Sequence, residues 1–124
     1  MASINIYLLA ISTSLTICSC QKMDESAPVI SIISPMANQV LPGNQPITVK
    51  ASIKDENGLH MVHIMVIDNS NNGHVLHTEE HVDSRSYDLN NTFSPQPGRS
   101  YTIEVGAHDH ADNEARKIIV VTTN

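Results

Sequence analysis

Aromatic side chains are scarce in this chain. Tryptophan is absent, phenylalanine occurs once, and Phe, Trp and Tyr together make up 3% of the 124 residues. Bases would find almost nothing to stack on, and a net charge of −6 leaves little with which to neutralise phosphates. Nucleic acid is therefore not an expected partner. Cysteine is limited to Cys18 and Cys20, so no disulfide framework can form along the rest of the chain. No apolar run is long enough to cross a bilayer as a helix. Gly-rich phosphate loops and nucleophile elbows are missing too, and Glu79 and Glu80 diverge on a strand, so paired-carboxylate chemistry is not supported. An enzyme is not expected. What the chain does have is one domain's worth of residues, 7 histidines, and a sharp composition boundary near its start.

Residues Met1 to Ser19 contain no Asp, Glu, Lys or Arg. The apolar run from Tyr7 to Ile17 is short and broken by Ser and Thr, as in the apolar core of a secretory signal. It ends in Ile17-Cys18-Ser19-Cys20. These residues resemble the lipobox of bacterial lipoproteins, with an aliphatic residue three before the cysteine and a small one just before it. The resemblance implies lipidation at Cys20; at Cys18, Ile17 would occupy the place of the small residue. The Lys or Arg that the family pattern places near the start is missing here. A buried apolar N-terminal strand is the other reading, and it would leave two neighbouring thiols with no turn before Gln21. The expected organisation is a signal peptide over 1–19, a lipidated tether over 20–27 and one domain over 28–124. The tether sequence Cys20-Gln21-Lys22-Met23-Asp24-Glu25 is similar to a lipoprotein surface-export signal in which Lys precedes two acids, although Met23 interrupts it. The implied location is the cell envelope, anchored to the lipid bilayer of the outer membrane, on its periplasmic or its surface side. With Cys20 as the first mature residue no disulfide is possible, so core packing alone must hold the domain.

From Pro28 onward no helical period is evident. Ile47, Val49, Ala51 and Ile53 alternate with Thr48, Lys50, Ser52 and Lys54, and Tyr101, Ile103, Val105 and Ala107 alternate with Thr102, Glu104, Gly106 and His108. Each set reads as a strand with one buried and one wet face. Five more strands are expected at Val29 to Ile33, Leu59 to Ile67, His74 to Val82, Ser86 to Phe93 and Ala115 to Thr122. Turn-forming residues separate them at Pro42-Gly43-Asn44, Glu56-Asn57-Gly58, Asn69 to Gly73, Pro95 to Gly98 and Asp112-Asn113. About seven short strands in this length suggest an all-β Greek-key sandwich.

The segment Pro97-Gly98-Arg99-Ser100-Tyr101-Thr102-Ile103-Glu104-Val105 resembles the start of the sixth strand in bacterial Ig-like and fibronectin type III domains. The likeness implies that Tyr101 forms a tyrosine corner. Ala107-His108-Asp109-His110-Ala111-Asp112-Asn113 resembles the turn into their last strand, with Asp112 standing where Gly is usual. Aspartate can adopt the left-handed conformation that this position requires. Asp55 to Leu59 is similar to the Asp-rich turn that opens their third strand. An Ig-like β-sandwich is implied over Pro28 to Asn124, and a fold of this kind hosts many functions.

Neutral imidazole binds Zn, Cu and Ni, which makes His60, His63, His74, His77, His81, His108 and His110 candidate ligands. On the expected strands, odd separations send His60 and His63, or His74 and His77, to opposite faces. His77 and His81 share a face but stand about 13 Å apart along the backbone, too far for one ion. His108 and His110, about 6.6 Å apart on one face, form the best pair. If Val62, Ile64 and Val66 face the core, then Met61, His63, Met65 and Ile67 face outward beside Glu104 and His108, with His77, Glu79 and His81 on the neighbouring strand. The expected metal set is His63, His77, His108 and His110, with Glu104 or Asp109 orienting the rings from behind, and with Zn or Cu as the ion. Both faces of Leu59 to Ile67 are apolar apart from His63, however, so parity stays ambiguous there. Seven imidazoles scattered on wet strands, satisfied by water, are the alternative. Asp55, Glu56, Asp68, Asp109, Asp112 and Asn113 lie in turns, where calcium ligation or Asx-turn hydrogen bonding would account for them. Two functions remain: a metal-binding envelope lipoprotein, or an Ig-like adhesion module that recognises protein or glycan through its loops.

Overall fold

The computed structural model describes residues 26–124; the expected signal peptide, Cys20 and the expected tether up to Glu25 lie outside them. Ile47, Val49, Ala51 and Ile53 are buried, as their two-residue spacing dictates. They open β3 (Ile47–Asp68), which pairs antiparallel with β1 (Val29–Ser34) on one side and with the end of β4 (Gly73–Phe93) on the other. Past Lys54 the chain bends. The buried Asp55 carboxylate accepts the N–H groups of Asn57 and Gly58, each at 2.9 Å. Gly58 takes a φ of 107°, a conformation open to a residue without a Cβ.

Beyond the bend, Leu59 to Asp68 pairs with the beginning of β4 and with β5 (Ser100–Asp109). The last long strand, β6 (Glu114–Thr123), pairs with β5, and the two-residue β2 (Val40–Leu41) runs parallel to its end. By hydrogen bonding this is one sheet, ordered β1-β3-β5-β6-β2 with β4 on β3. Because β3 and β4 each take part in both layers, the sheet curls over itself into the expected Ig-like sandwich. All seven expected strands are present. Two consecutive pairs of them are fused into the long strands β3 and β4, so the turn expected at Glu56-Asn57-Gly58 is a bend rather than a break. The short β2 was not expected, since two residues before a proline carry no alternation.

One core fills the space between the layers. Val49, Ile53, Leu89 and Phe93 contribute from one side, and Ile64, Val66, Ile103, Val105 and Val121 from the other. The Phe93 and Tyr101 rings meet at 5.4 Å between centroids. The Tyr101 hydroxyl accepts the Gln96 N–H at 2.8 Å, which is the corner that the sequence implies. Along the open edge, the Tyr87 hydroxyl donates to the Glu80 carboxylate, tying the two halves of β4 to each other. That contact pushes the phenol up to about 12.

The buried turn acids use their oxygens locally. Asp109 accepts the N–H groups of Ala111 and Asn113 through Oδ1, each at 2.8 Å, and the Asn113 amide through Oδ2 at 2.7 Å. Asp112 completes that turn with a φ of 62°. Asp68 accepts the N–H and hydroxyl of Ser70 at 2.9 and 2.7 Å, and Arg99 closes on its other oxygen at 2.9 Å. The Asx-turn role expected of these acids accounts for Asp55, Asp68 and Asp109.

The Ser70 hydrogen bonds and then the Arg99 charge hold the Asp68 carboxyl below its ordinary value of 3.8. A carboxyl depressed in the folded state contributes stability above its unfolded value and loses that contribution as pH falls through the folded one. Asp68→Asn is expected to lower the urea midpoint at pH 7. The gap from the unsubstituted chain should narrow below pH 3.8, measured by far-ultraviolet circular dichroism.

Candidate functional site: a histidine face

The side-chain pattern of β3 changes parity midway. Odd positions from Ile47 to Asp55 and again at Leu59 are buried, whereas even positions from Val62 to Asp68 are buried after that. The registers show why. On β5, Leu59 lies opposite Asp109 and Met61 opposite the next residue, His108, so His60 has no counterpart there. On β4 the same step spans Ser84 to His81. Against β5, His60 is thus an extra residue in β3, a β-bulge that leaves its ring exposed beside the outward-facing Met61, whereas against β4 the extra residue lies on β4.

This shift sets the outward face. His77, Met65, Glu104 and Ile118 form one row across four strands. Glu79, His63, Gly106 and Arg116 form the next, and His81, Met61, His108 and Glu114 the third. A second irregularity, between Val66 and Ile67, sets His74 opposite Ile67 and back on this face. His110 follows His108 at the end of β5, beside His60. All 7 histidines of the chain therefore gather on one surface. The expectation that His60 and His63, or His74 and His77, point to opposite faces is corrected, because each pair spans a register shift.

His63 lies flat over Gly106. A Cβ at that glycine would come within 2.0 Å of the His63 Cε1, so only glycine leaves room for the ring. From there His63 Nε2 reaches the Glu104 carboxylate at 3.2 Å, both side chains being 13% exposed. Arg116 approaches the same Glu104 oxygen at 3.5 Å and also bonds Glu114. The Arg116 hydrogen bond and charge, helped by His108 and His63, hold the Glu114 carboxyl below its usual range. His108 stands 3.9 Å from Glu114. The result is a belt of polar contacts linking β3, β5 and β6.

A second group occupies the end of the face next to the bend. The His60 ring lies 5.2 Å from His81 and 4.9 Å from His110, centroid to centroid. His110 Nε2 is 3.4 Å from the Asp83 carboxylate, and its ring covers Gly58.

The four expected ligands do not converge. His63 turns to Glu104, His77 to Glu79 at 3.7 Å, His108 to Glu114 and His110 to Asp83. Each imidazole leans toward a different carboxylate, and the ring nearest His110 is His60, which the strand-parity argument had set aside. Glu104 sits against His63, whereas Asp109 is occupied by its own turn. Among the described residues, no three His, Cys, Asp or Glu side chains stand ready around one point to hold an ion.

Two layers joined by strands that pass through both, a tyrosine corner and an Asx-closed final turn define an Ig-like module. The chain belongs to the family described as Bacterial Ig domain, which matches residues 28–105. The match ends before His108, His110 and β6, so part of the histidine face lies beyond it. A comparison with curated proteins finds no match.

Gly106→Ala should force the His63 ring off Glu104 at a cost of about 1–3 kcal/mol, the usual range for overpacking a close contact. Adding His63→Ala in the same chain should recover most of that loss. Thermal denaturation of the single and double variants checks the coupling.

Proposed function

We propose that this chain is a non-enzymatic lipoprotein of the cell envelope, held at the outer membrane through lipidated Cys20, whose Ig-like domain offers its histidine face to a transition metal such as Zn²⁺ or Cu²⁺. One observation carries the metal part of the reading: seven imidazoles, drawn from β3, β4 and the end of β5, share a single surface. Two register shifts are needed to gather them there. Imidazole is the donor that these ions prefer, and strands hold it at fixed positions. The anchor is supported by the lipobox-like Ile17-Cys18-Ser19-Cys20. The absence of any nucleophile motif in the sequence supports a non-enzymatic role.

Cys20→Ala is expected to abolish incorporation of labelled palmitate and to release the chain from the outer-membrane fraction, whereas Cys18→Ala should leave both unchanged. Zn²⁺ should bind the full chain at neutral pH and leave as the solution is acidified, because a protonated imidazole has no lone pair to give. Isothermal titration calorimetry at two pH values measures this. Binding that persists unchanged in acid would point away from histidine ligands.

A second reading, recognition of a protein or glycan, draws on exposed apolar side chains beside the same face. Val40 is 62% exposed, Ile118 57% and Val120 39%. In that case Ile118→Ser with Val120→Ser would abolish adhesion to the partner surface while leaving metal affinity intact.

A further inference from the structure

We infer that the outer face of β1 and of the first half of β3 rests on the anionic lipid headgroups of the bilayer that holds Cys20, which turns the histidine face toward solvent. The inference rests on the lipid-anchor reading above and orients the domain within it. Its first support is the pattern of exposed side chains. On β1, Ile30 is buried while Val29 and Ile33 are 66% and 61% exposed, and Met36 in the loop that follows is 72% exposed. Val29 lies directly opposite Lys54, and Ser34, the neighbour of Ile33, lies opposite Lys50. Both lysines are exposed. Aliphatic side chains thus adjoin lysines on one surface, an arrangement in which the ammonium groups meet phosphates while the apolar groups lie against the acyl boundary.

Charge is the second support. Among the described residues no carboxylate pairs with Lys50, Lys54 or Arg85, whereas Arg99 is held by Asp68 and Arg116 by Glu104 and Glu114. Across β1, β3 and β4, the rows Val29-Lys54-Ser86, Ser31-Ser52-Asp88 and Ser34-Lys50-Asn90 hold both lysines against a single acid, Asp88. The opposite layer presents Glu79, Glu104 and Glu114, and the whole chain carries −6. An anionic surface therefore attracts this face and repels the other. Beside Val29 lies an open hollow of about 890 Å³, lined by Lys54 and Arg85 as well as Asp55 and Glu56. Asp55 is already turned to its own backbone, which leaves the two cations facing space that a headgroup phosphate can enter.

Position along the chain is the third. Ser26 and Ala27 line the same hollow as they lead into β1, and Cys20 precedes Val29 by nine residues. At no more than about 3.6 Å per residue, Val29 stays within roughly 32 Å of the acylated cysteine. Among the strands, β1 is the one joined directly to that anchor, so its face can settle on the headgroups while the anchor stays in place. A sandwich lying on this layer presents the opposite one, with all 7 histidines, away from the bilayer.

The test uses the lipidated chain purified from the outer-membrane fraction and reconstituted into vesicles of phosphatidylcholine, with or without phosphatidylglycerol. A polarity-sensitive dye is attached through Ser31→Cys on the inferred face or Ile118→Cys on the opposite one, and quenching by aqueous acrylamide reads its exposure. On vesicles containing phosphatidylglycerol, the expected result is a blue-shifted, shielded label at position 31 and a fully quenchable label at position 118. Lys50→Ser with Lys54→Ser should lower the ratio of shielded to accessible label at least about tenfold. Val29→Ser with Ile33→Ser should lower it too, and so should high salt. Circular dichroism and melting temperature confirm that each variant folds. Equal quenching of the two labels on chains that sediment with the vesicles overturns the docking face and keeps the anchor. Shielding that is indifferent to phosphatidylglycerol and to the lysines overturns it as well. Shielding that appears in detergent without vesicles and grows with protein concentration overturns it in favour of a second copy of the chain. If the chain carries no palmitate and stays off the vesicles, anchor and docking face fall together, and the metal-binding reading is untouched.

Discussion

The architecture depends on strand β3 serving both layers, and a strand can do that only if its apolar side chains point into the core on both sides of the bend. Alternation along an unbroken strand would keep odd positions inside throughout. At His60 one unpaired residue resets the phase, so that Leu59 and Val62 both pack inward. Without it, Val62, Ile64 and Val66 would face water, and His63 and Met65 would enter the core. The same insertion that saves the core turns His63 toward Glu104 and Arg116 and leaves His60 among other rings. Core and surface are therefore fixed by one backbone event.

That dependence also explains what could be read from residues alone. The strands from Ile47 to Ile53 and from Tyr101 to Ala107 were legible because one face is apolar and the other polar, and both sets are buried as the pattern demands. The tyrosine corner, the left-handed Asp112 and the Asp55 turn were legible because short-range backbone geometry restricts which residues can serve there. Leu59 to Ile67 is apolar on both faces, so its phase cannot be read from hydrophobicity. Phase was the quantity needed to sort the histidines. The pairing of His60 with His81 and His110 stayed hidden because it crosses three segments far apart in the chain and hinges on a single insertion. A repeated histidine count at the end of one face was the available signal, but spacing arithmetic on straight strands pointed away from it.

The face divides into two electrostatic regimes. Around Glu104, Arg116 and Glu114, charges of opposite sign neutralise one another and lock His63 and His108 into a largely satisfied belt. At the bend, imidazoles meet with little compensating charge beyond Asp83. The contrast comes from the neighbours in register: Glu104, Glu114 and Arg116 lie beside His63 and His108, whereas His60 meets His81 and His110.

The parallel pairing of β2 with the end of β6 has a mechanical consequence. Asn38 donates to Val120, Thr122 to Gln39, and Asn124 to Leu41, at 2.7, 3.1 and 3.0 Å. Because the two segments run the same way, a pull that separates the chain's beginning from its end drags them past each other in shear. All three contacts then carry load at once instead of opening one after another. A domain tied down at its start and gripped at its far end would therefore resist extension through this short clamp before its larger sheets were strained.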